Sequence, residues 1–175
     1  MSIKSIFLDR DGVINKDISY LHKIDDFEFI TGVFEACRHF ESLNYELIIV
    51  TNQSGIARQL YTENDYQVIT KWMINQFKKN DVNILDVFHC PHGPNSNCIC
   101  RKPKPGMFID AQIRYNIDME NSWMIGDNEI DISAANSAGI TKTILVKSGH
   151  KINEVESKAK YILESIHQSS QVIIS

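Results

Sequence analysis

Short apolar runs rich in β-branched residues recur along the chain at Ile3–Leu8, Leu47–Thr51, Asp86–Cys90, Trp123–Gly126 and Lys142–Val146. Between them lie longer stretches whose apolar positions return every three to four residues: Gly32–Leu43, Glu63–Lys79, Met107–Tyr115 and Asp131–Ala138. The first pattern predicts strands and the second amphipathic helices. The runs are apolar throughout instead of alternating, as happens when helices cover both faces of a sheet. Strand, helix, strand, helix in this order predicts an α/β fold, a three-layer, Rossmann-like parallel sheet wound by crossover helices. Thr62 before Glu63 and Asp65 reads as a helix start, and Lys78-Lys79-Asn80 as its end. The tail from Glu154 to Ser175 predicts a helix and then a short strand near Tyr161–Leu163.

In open parallel sheets ligands sit beyond the carboxyl ends of the strands, and the polar chemistry of this chain collects there. The first strand runs into Asp9-Arg10-Asp11-Gly12 and the second into Thr51-Asn52-Gln53-Ser54-Gly55. The third runs into a cysteine-rich loop and the fourth into Gly126-Asp127-Asn128-Glu129-Ile130-Asp131. Any one of these could be an ordinary turn, since Asp, Asn, Ser and Gly are the usual turn formers. Four at successive strand ends point to a site.

The 175 residues carry 43% hydrophobic side chains, enough to bury a sizeable core, and show no repeat or linker; one domain over 1–175 is expected. A formal charge of −4 argues against a nucleic-acid surface. An anionic ligand must then be held by local cations or a metal. The start of the chain lacks the apolar core of a signal peptide, and the longest unbroken apolar run, Leu47–Val50, is far short of the ~20 residues that span a bilayer. The expected compartment is the cytoplasm, where thiols stay reduced and clustered cysteines favour metal over disulfides.

Close carboxylates such as Asp9 and Asp11 repel unless a metal or a shared proton intervenes. With Asp127 and Asp131 they form a hard oxygen set suited to Mg²⁺ beside a phosphate, although Asp131 also sits where a helix would be capped. Thr51 and Asn52 offer neutral donors for phosphate oxygens. Lys102 adds a point charge and Arg101 a planar fork. An aspartate nucleophile, a second aspartate to shuttle protons, a magnesium ion, a lysine and a hydroxyl together describe phosphoryl transfer through an aspartyl-phosphate. Cys90-x-His92-x5-Cys98-x-Cys100 supplies three thiolates and an imidazole, the ligand set of a closed tetrahedral zinc site. Such a site would be structural, holding still a loop that has little propensity of its own and that carries Arg101 and Lys102 directly behind it. Cys37, on the apolar face of the first helix, reads as core packing.

The motifs Asp9-x-Asp11-Gly12, Thr51-Asn52, Lys102 before a proline, and Gly126-Asp127-x-x-x-Asp131 resemble those of the haloacid dehalogenase superfamily of phosphohydrolases. The segments FLDRDGVIN, DDFEFITGV, VTNQSGIAR, CPH followed by CICRKPKPGM, and GDNEID further resemble the heptose bisphosphate phosphatases. The resemblance implies that Asp9 is the nucleophile and Asp11 the general acid and base. It implies Mg²⁺ on Asp9, the backbone carbonyl of Asp11, and Asp127. Thr51, Asn52 and Lys102 would bind the transferred phosphoryl group, and Arg101 the rest of a small sugar bisphosphate. Arg10, Asp17, Tyr20, Gln53, Ser54 and Asn128 complete the implied substrate-binding set. Asn128 and Ser19 depart from the family, whose best-known members carry lysine and glycine there. No stretch is long enough for a separate cap domain, which leaves the zinc loop and Ile14–Ile24 as roof elements. The resemblance also implies a monomer that needs neither nucleic acid nor membrane.

Two other readings share parts of this pattern. A receiver-like signalling domain also pairs a phosphorylatable aspartate with a hydroxyl and a lysine, but Asp11 at the second position past the nucleophile favours turnover over a lasting mark. Histidinol-phosphate phosphatases share the aspartates and the zinc loop; the DDFEFITGV segment favours the heptose enzymes.

Overall fold

The computed structural model describes residues 2–175; Met1, the first residue of the domain expected over 1–175, lies outside them. Six strands form one parallel sheet: β1 (Ser5–Leu8), β2 (Glu46–Asn52), β3 (Ile84–Cys90), β4 (Trp123–Gly126), β5 (Lys142–Val146) and β6 (Tyr161–Leu163). Their order across the sheet is β3-β2-β1-β4-β5-β6. β1 therefore lies between β2 and β4, with Leu8 opposite Ile49 on one side and Ile125 on the other. The chain leaves β1 toward one edge and later returns toward the other, and this switch point is where α/β sheets open a crevice.

Four helices cover the sheet: α1 (Val33–Ser42), α2 (Glu63–Lys79), α3 (Gly106–Tyr115) and α4 (Glu129–Ser137). Ile6, Leu8 and Ile49 pack beneath α1 and α2 with Phe40, Met73 and Phe77. Phe7, Ile48 and Met124 face the other way, onto Phe108 of α3 and Ala134 and Ala135 of α4. Alternate residues of one strand thus feed both cores. Full burial of side chains such as Phe40 and Phe77 contributes about 1.5–3 kcal/mol each.

The predicted start of α2 is realised as a capping box. Thr62 Oγ1 accepts from Asp65 N–H at 3.1 Å, and Asp65 accepts from Thr62 N–H at 2.8 Å. α4 begins two residues before the predicted Asp131, because Asn128 caps it. The predicted tail strand is β6. The helix expected ahead of it does not form: residues 151–160 run as turns and loop, held where Glu129 accepts from Ser157 Oγ at 2.9 Å and Lys158 N–H at 2.8 Å. A short 3-10 helix, Ile166–Gln171, follows β6 and packs against α1. Among the described residues no helix is long and apolar enough to cross a membrane.

Candidate active site

The carboxyl ends of β1, β2 and β4 frame a cavity of about 320 Å³. Its lining includes Asp9 and Asp11 after β1, Thr51 to Ser54 from β2, Arg101 and Lys102 from the zinc loop, and Asp127, Asn128 and Asp131 after β4. Asp17 and Tyr20 reach it from the segment above β1. The structure thus brings every implied side chain to one place except Arg10, which points into the protein.

Asp9 sits at the floor. Its Oδ1 accepts from Arg10 N–H at 2.8 Å and lies 2.9 Å from Lys102 Nζ. Burial, then the neighbouring charge of Asp131, pushes the Asp9 carboxyl well above its ordinary range. Asp127 is raised for the same two reasons, with His150 opposing them. Lys102 feels the converse. Burial would lower it, but Asp131 and Asp9 outweigh that and hold the ammonium protonated. All three of its donors have partners: Asp9, Asp131 Oδ1 at 2.8 Å and the Val50 carbonyl at 2.8 Å.

Asp131 is fully engaged as scaffold, since its Oδ2 takes the N–H groups of Asp127 and Asn128, both at 3.1 Å. Asp127 differs. Its Oδ2 accepts from His150, while its Oδ1 is buried without a partner. Asp9, Asp127 and Asp131 each offer an oxygen within 4.8 Å of the others. Three crowded, buried carboxylates facing one lysine, with one oxygen left bare, fit a bound divalent cation.

Asp11 is held by four donors. Arg10 Nε and a terminal nitrogen reach its two oxygens at 3.2 and 3.1 Å, Asn15 Nδ2 at 3.0 Å and Gln53 Nε2 at 3.2 Å. Arg10 is 1% exposed and also donates to the Leu21 carbonyl at 3.0 Å. Its expected substrate contact is therefore corrected: Arg10 orients Asp11 and ties it to the segment above. Gln53 also lines the cavity, but its amide is occupied with Asp11, Thr51 Oγ1 and the Tyr61 hydroxyl. The Asn52 amide lines the cavity and has a second task. It brackets the backbone of Lys102, accepting from its N–H at 3.0 Å and donating to its carbonyl at 3.1 Å. Asn128 Oδ1 accepts from Ile130 N–H at 3.2 Å, so it serves α4 as a cap as well as lining the cavity.

The zinc loop leaves β3 at Cys90. The ligand atoms of Cys90, His92, Cys98 and Cys100 all lie within 4.8 Å of one another. Cys90 Sγ is 3.1 Å from Cys100 Sγ and 3.8 Å from Cys98 Sγ, too far for a disulfide. Tetrahedral zinc with Zn–S bonds of about 2.3 Å separates its sulfurs by roughly 3.8 Å. Cys90 and Cys98 stand at that spacing, and the three thiols and one imidazole gathered within 4.8 Å fit zinc once Cys90 and Cys100 part slightly. Burial pushes the Cys90 thiol up to about 12, which makes a cation the natural partner of its thiolate. Arg101 donates to His92 O at 3.2 Å and Lys104 Nζ to Cys98 O at 2.6 Å, so the cations brace the loop that carries them.

His150 is the site residue that the strand-end survey missed. The signal was present as Ser148-Gly149-His150, a polar turn past the carboxyl end of β5.

A parallel sheet with paired aspartates at the end of β1, a hydroxyl at the end of β2, a buried lysine and an acidic loop after β4 defines a phosphohydrolase of the haloacid dehalogenase type. A HAD-hydrolase-like family model matches residues 99–169. The chain is 48% identical over 164 residues, 90% of each protein, to a D-glycero-alpha-D-manno-heptose-1,7-bisphosphate 7-phosphatase of Photorhabdus laumondii. It is 42% identical over 180 residues, 98% of this chain and 95% of the relative, to a D-glycero-beta-D-manno-heptose-1,7-bisphosphate 7-phosphatase of Escherichia coli. The D,D-heptose 1,7-bisphosphate phosphatase of B. bronchiseptica, solved with magnesium and phosphate, superposes with a TM-score of 0.86 at 30% identity over 98% of both chains. The chain belongs to the family of heptose-1,7-bisphosphate 7-phosphatases and is a phosphoric monoester hydrolase.

Proposed function

We propose that this enzyme removes the C7 phosphate of D-glycero-D-manno-heptose 1,7-bisphosphate and leaves the C1 phosphate in place. The observation that carries this reading is the pairing of Asp9, Lys102 and the bare Asp127 Oδ1 at the cavity floor with Arg101 on its wall. One phosphate fits over Asp9; the other end of the sugar then meets the charge of Arg101. A cavity of about 320 Å³ is at the size expected for a small polar ligand.

An Asp9 carboxylate oxygen attacks phosphorus, and the P–O bond to C7 breaks. Asp11 gives its proton to the departing sugar oxygen. It then takes a proton from water, which attacks the aspartyl-phosphate, releases inorganic phosphate and restores Asp9. Asp11 meets the sugar oxygen by exchanging its Gln53 contact, on the cavity side, for the substrate, while Arg10 and Asn15 keep their hold. Mg²⁺ on Asp9, the Asp11 carbonyl and Asp127 would neutralise charge on the phosphoryl oxygens. Lys102 opposes the burial and the Asp131 charge that raise the Asp9 carboxyl, and so favours its ionised, nucleophilic form. The whole set of groups lies within one sheet and its loops, which supports a single phosphatase domain over 1–175. The charge of −4 and the small cavity favour a small-molecule substrate over nucleic acid.

The test compares kcat/KM on both anomers of heptose 1,7-bisphosphate, histidinol phosphate and fructose 1,6-bisphosphate, with phosphorus NMR of the products. A heptose anomer as best substrate and a surviving C1 ester are expected. Preference for histidinol phosphate, or loss of the C1 ester, would overturn the assignment.

A further inference from the structure

The turn that follows β5 folds back over the acidic loop after β4. Ser148 Oγ donates to the Gly12 carbonyl at 2.7 Å, which pins the turn to the loop after β1. Two residues later the backbone N–H of His150 donates to Asp127 Oδ2 at 2.9 Å, and the imidazole Nδ1 lies 2.6 Å from the same oxygen. Gly149 between them lies so close that a Cβ would collide with that carboxylate. Gly12, at φ +85°, lies beside Gly149 and approaches the same oxygen with the same restriction. Two close backbone approaches and two donors on Oδ2 together hold the Asp127 carboxylate in this orientation.

That orientation sorts its two oxygens. Oδ2 is taken by His150, while Oδ1 is buried and free of hydrogen bonds, and an oxygen of Asp127 lies within 4.8 Å of oxygens of Asp9 and Asp131. Without the ring contact, the His150 N–H and the two glycines alone restrain the Cβ–Cγ bond, and a partial rotation would swing the bare oxygen out of line with Asp9. The imidazole needs only a proton on Nδ1 for this task, which the neutral tautomer provides.

We propose that His150 is a positioning residue for the magnesium site, holding Asp127 so that Oδ1 is presented to the ion beside Asp9. This rests on the reading of Asp127 as a magnesium ligand. Partners that orient a metal ligand from behind typically change metal affinity or activity by about 10- to 100-fold when removed. His150 lies on the open side of the site, half-exposed, so its replacement leaves the core intact.

The experiment measures binding of Mn²⁺, as a paramagnetic probe for the magnesium site, to zinc-replete enzyme without substrate, by the electron paramagnetic resonance signal of the free ion. His150→Ala is expected to weaken Mn²⁺ binding about 10- to 100-fold. His150→Asn places an amide nitrogen where Nδ1 stood and is expected to restore most of the affinity. In turnover, His150→Ala should raise the Mg²⁺ concentration needed for half-maximal rate while leaving KM for the sugar bisphosphate unchanged at saturating Mg²⁺. Wild-type Mn²⁺ affinity in His150→Ala, equal losses in the Ala and Asn variants, or an effect confined to KM would each overturn the proposal. Asp127→Ala separates the two readings. If it abolishes Mn²⁺ binding, the metal assignment stands whatever His150 does; if it binds normally, that assignment falls and takes the role of His150 with it.

Discussion

Lys102 Nζ lies 2.9 Å from Asp9 Oδ1 at the floor of the cavity, the lysine fully buried and the aspartate open only to the cavity. The lysine arrives from the zinc loop and the aspartate from β1, so the contact joins the two halves of the site. It also sets the charge balance, because Lys102 is the one ammonium facing Asp9 and Asp131. Lys102→Met is expected to lower kcat about 100- to 1,000-fold, as for loss of a preorganised electrostatic partner. Loss of one partner from a buried pair also destabilises by about 3–5 kcal/mol. Steady-state kinetics and denaturant melts measure both, and near-wild-type kcat would remove Lys102 from the mechanism.

The two aspartates after β1 should separate by phenotype. Asp9→Asn abolishes turnover, since an amide is a poor nucleophile. Asp11→Asn keeps substrate binding and loses about 100- to 10,000-fold in kcat, the usual range for a general acid and base. Equilibrium binding beside single-turnover kinetics distinguishes them, and activity in Asp9→Asn would rule out the aspartyl-phosphate.

Metal removal should act at a distance. Elemental analysis is expected to find about one zinc per chain, and chelation that removes it should lower Tm and kcat together even with Mg²⁺ restored. The route is Cys100 through Arg101 to Lys102, whose backbone Asn52 brackets. A misplacement of ~1 Å there costs on the order of a hundredfold in rate. Full activity without zinc would dismiss the loop's structural role.

Arg101 donates to the His92 carbonyl and lines the cavity, leaving other donors of its fork for a second phosphate. A charge-assisted hydrogen bond of this kind contributes about 1.5–3 kcal/mol, or roughly 10- to 100-fold in kcat/KM. Arg101→Ala should therefore slow the bisphosphate far more than p-nitrophenyl phosphate. Equal losses on both, with zinc content unchanged, would place Arg101 at the reacting phosphoryl group instead.

Acid should weaken the start of α2. The Thr62 N–H and hydroxyl hold the Asp65 carboxyl below its ordinary value of 3.8. A depressed carboxylate stabilises the fold above its unfolded pKa, and that contribution fades as pH falls through its folded pKa. Asp65→Asn should show a smaller loss of Tm than wild type between about pH 4 and lower values. An identical acid slope in the two proteins would show that the capping box does not couple to protonation.

The sequence by itself determined the strands, all four α-helix starts to within two residues, the acidic and hydroxyl clusters at successive strand ends, and the spacing of the zinc ligands. These are local properties: apolar period reports burial, and Cys90, His92, Cys98 and Cys100 are close in the chain before they are close in space. Side-chain direction is different, because it depends on which donors wait across the site. Arg10 looked like a substrate ligand beside two aspartates, yet the turn after β1 sends it inward to Asp11 and Leu21. Asn52 and Asn128 line the cavity as expected, but the second task of each, on the Lys102 backbone and on the start of α4, depends on groups that only folding brings within reach. The tail before β6 had the composition of a helix, but Glu129 of α4 accepts from the Ser157 hydroxyl and the Lys158 N–H and leaves it as loop. His150 meets Asp127 across 23 positions of chain and two adjacent strands. Only the parallel pairing of β4 with β5 puts the two strand ends side by side, and so only the tertiary structure decided which oxygen of Asp127 is left bare.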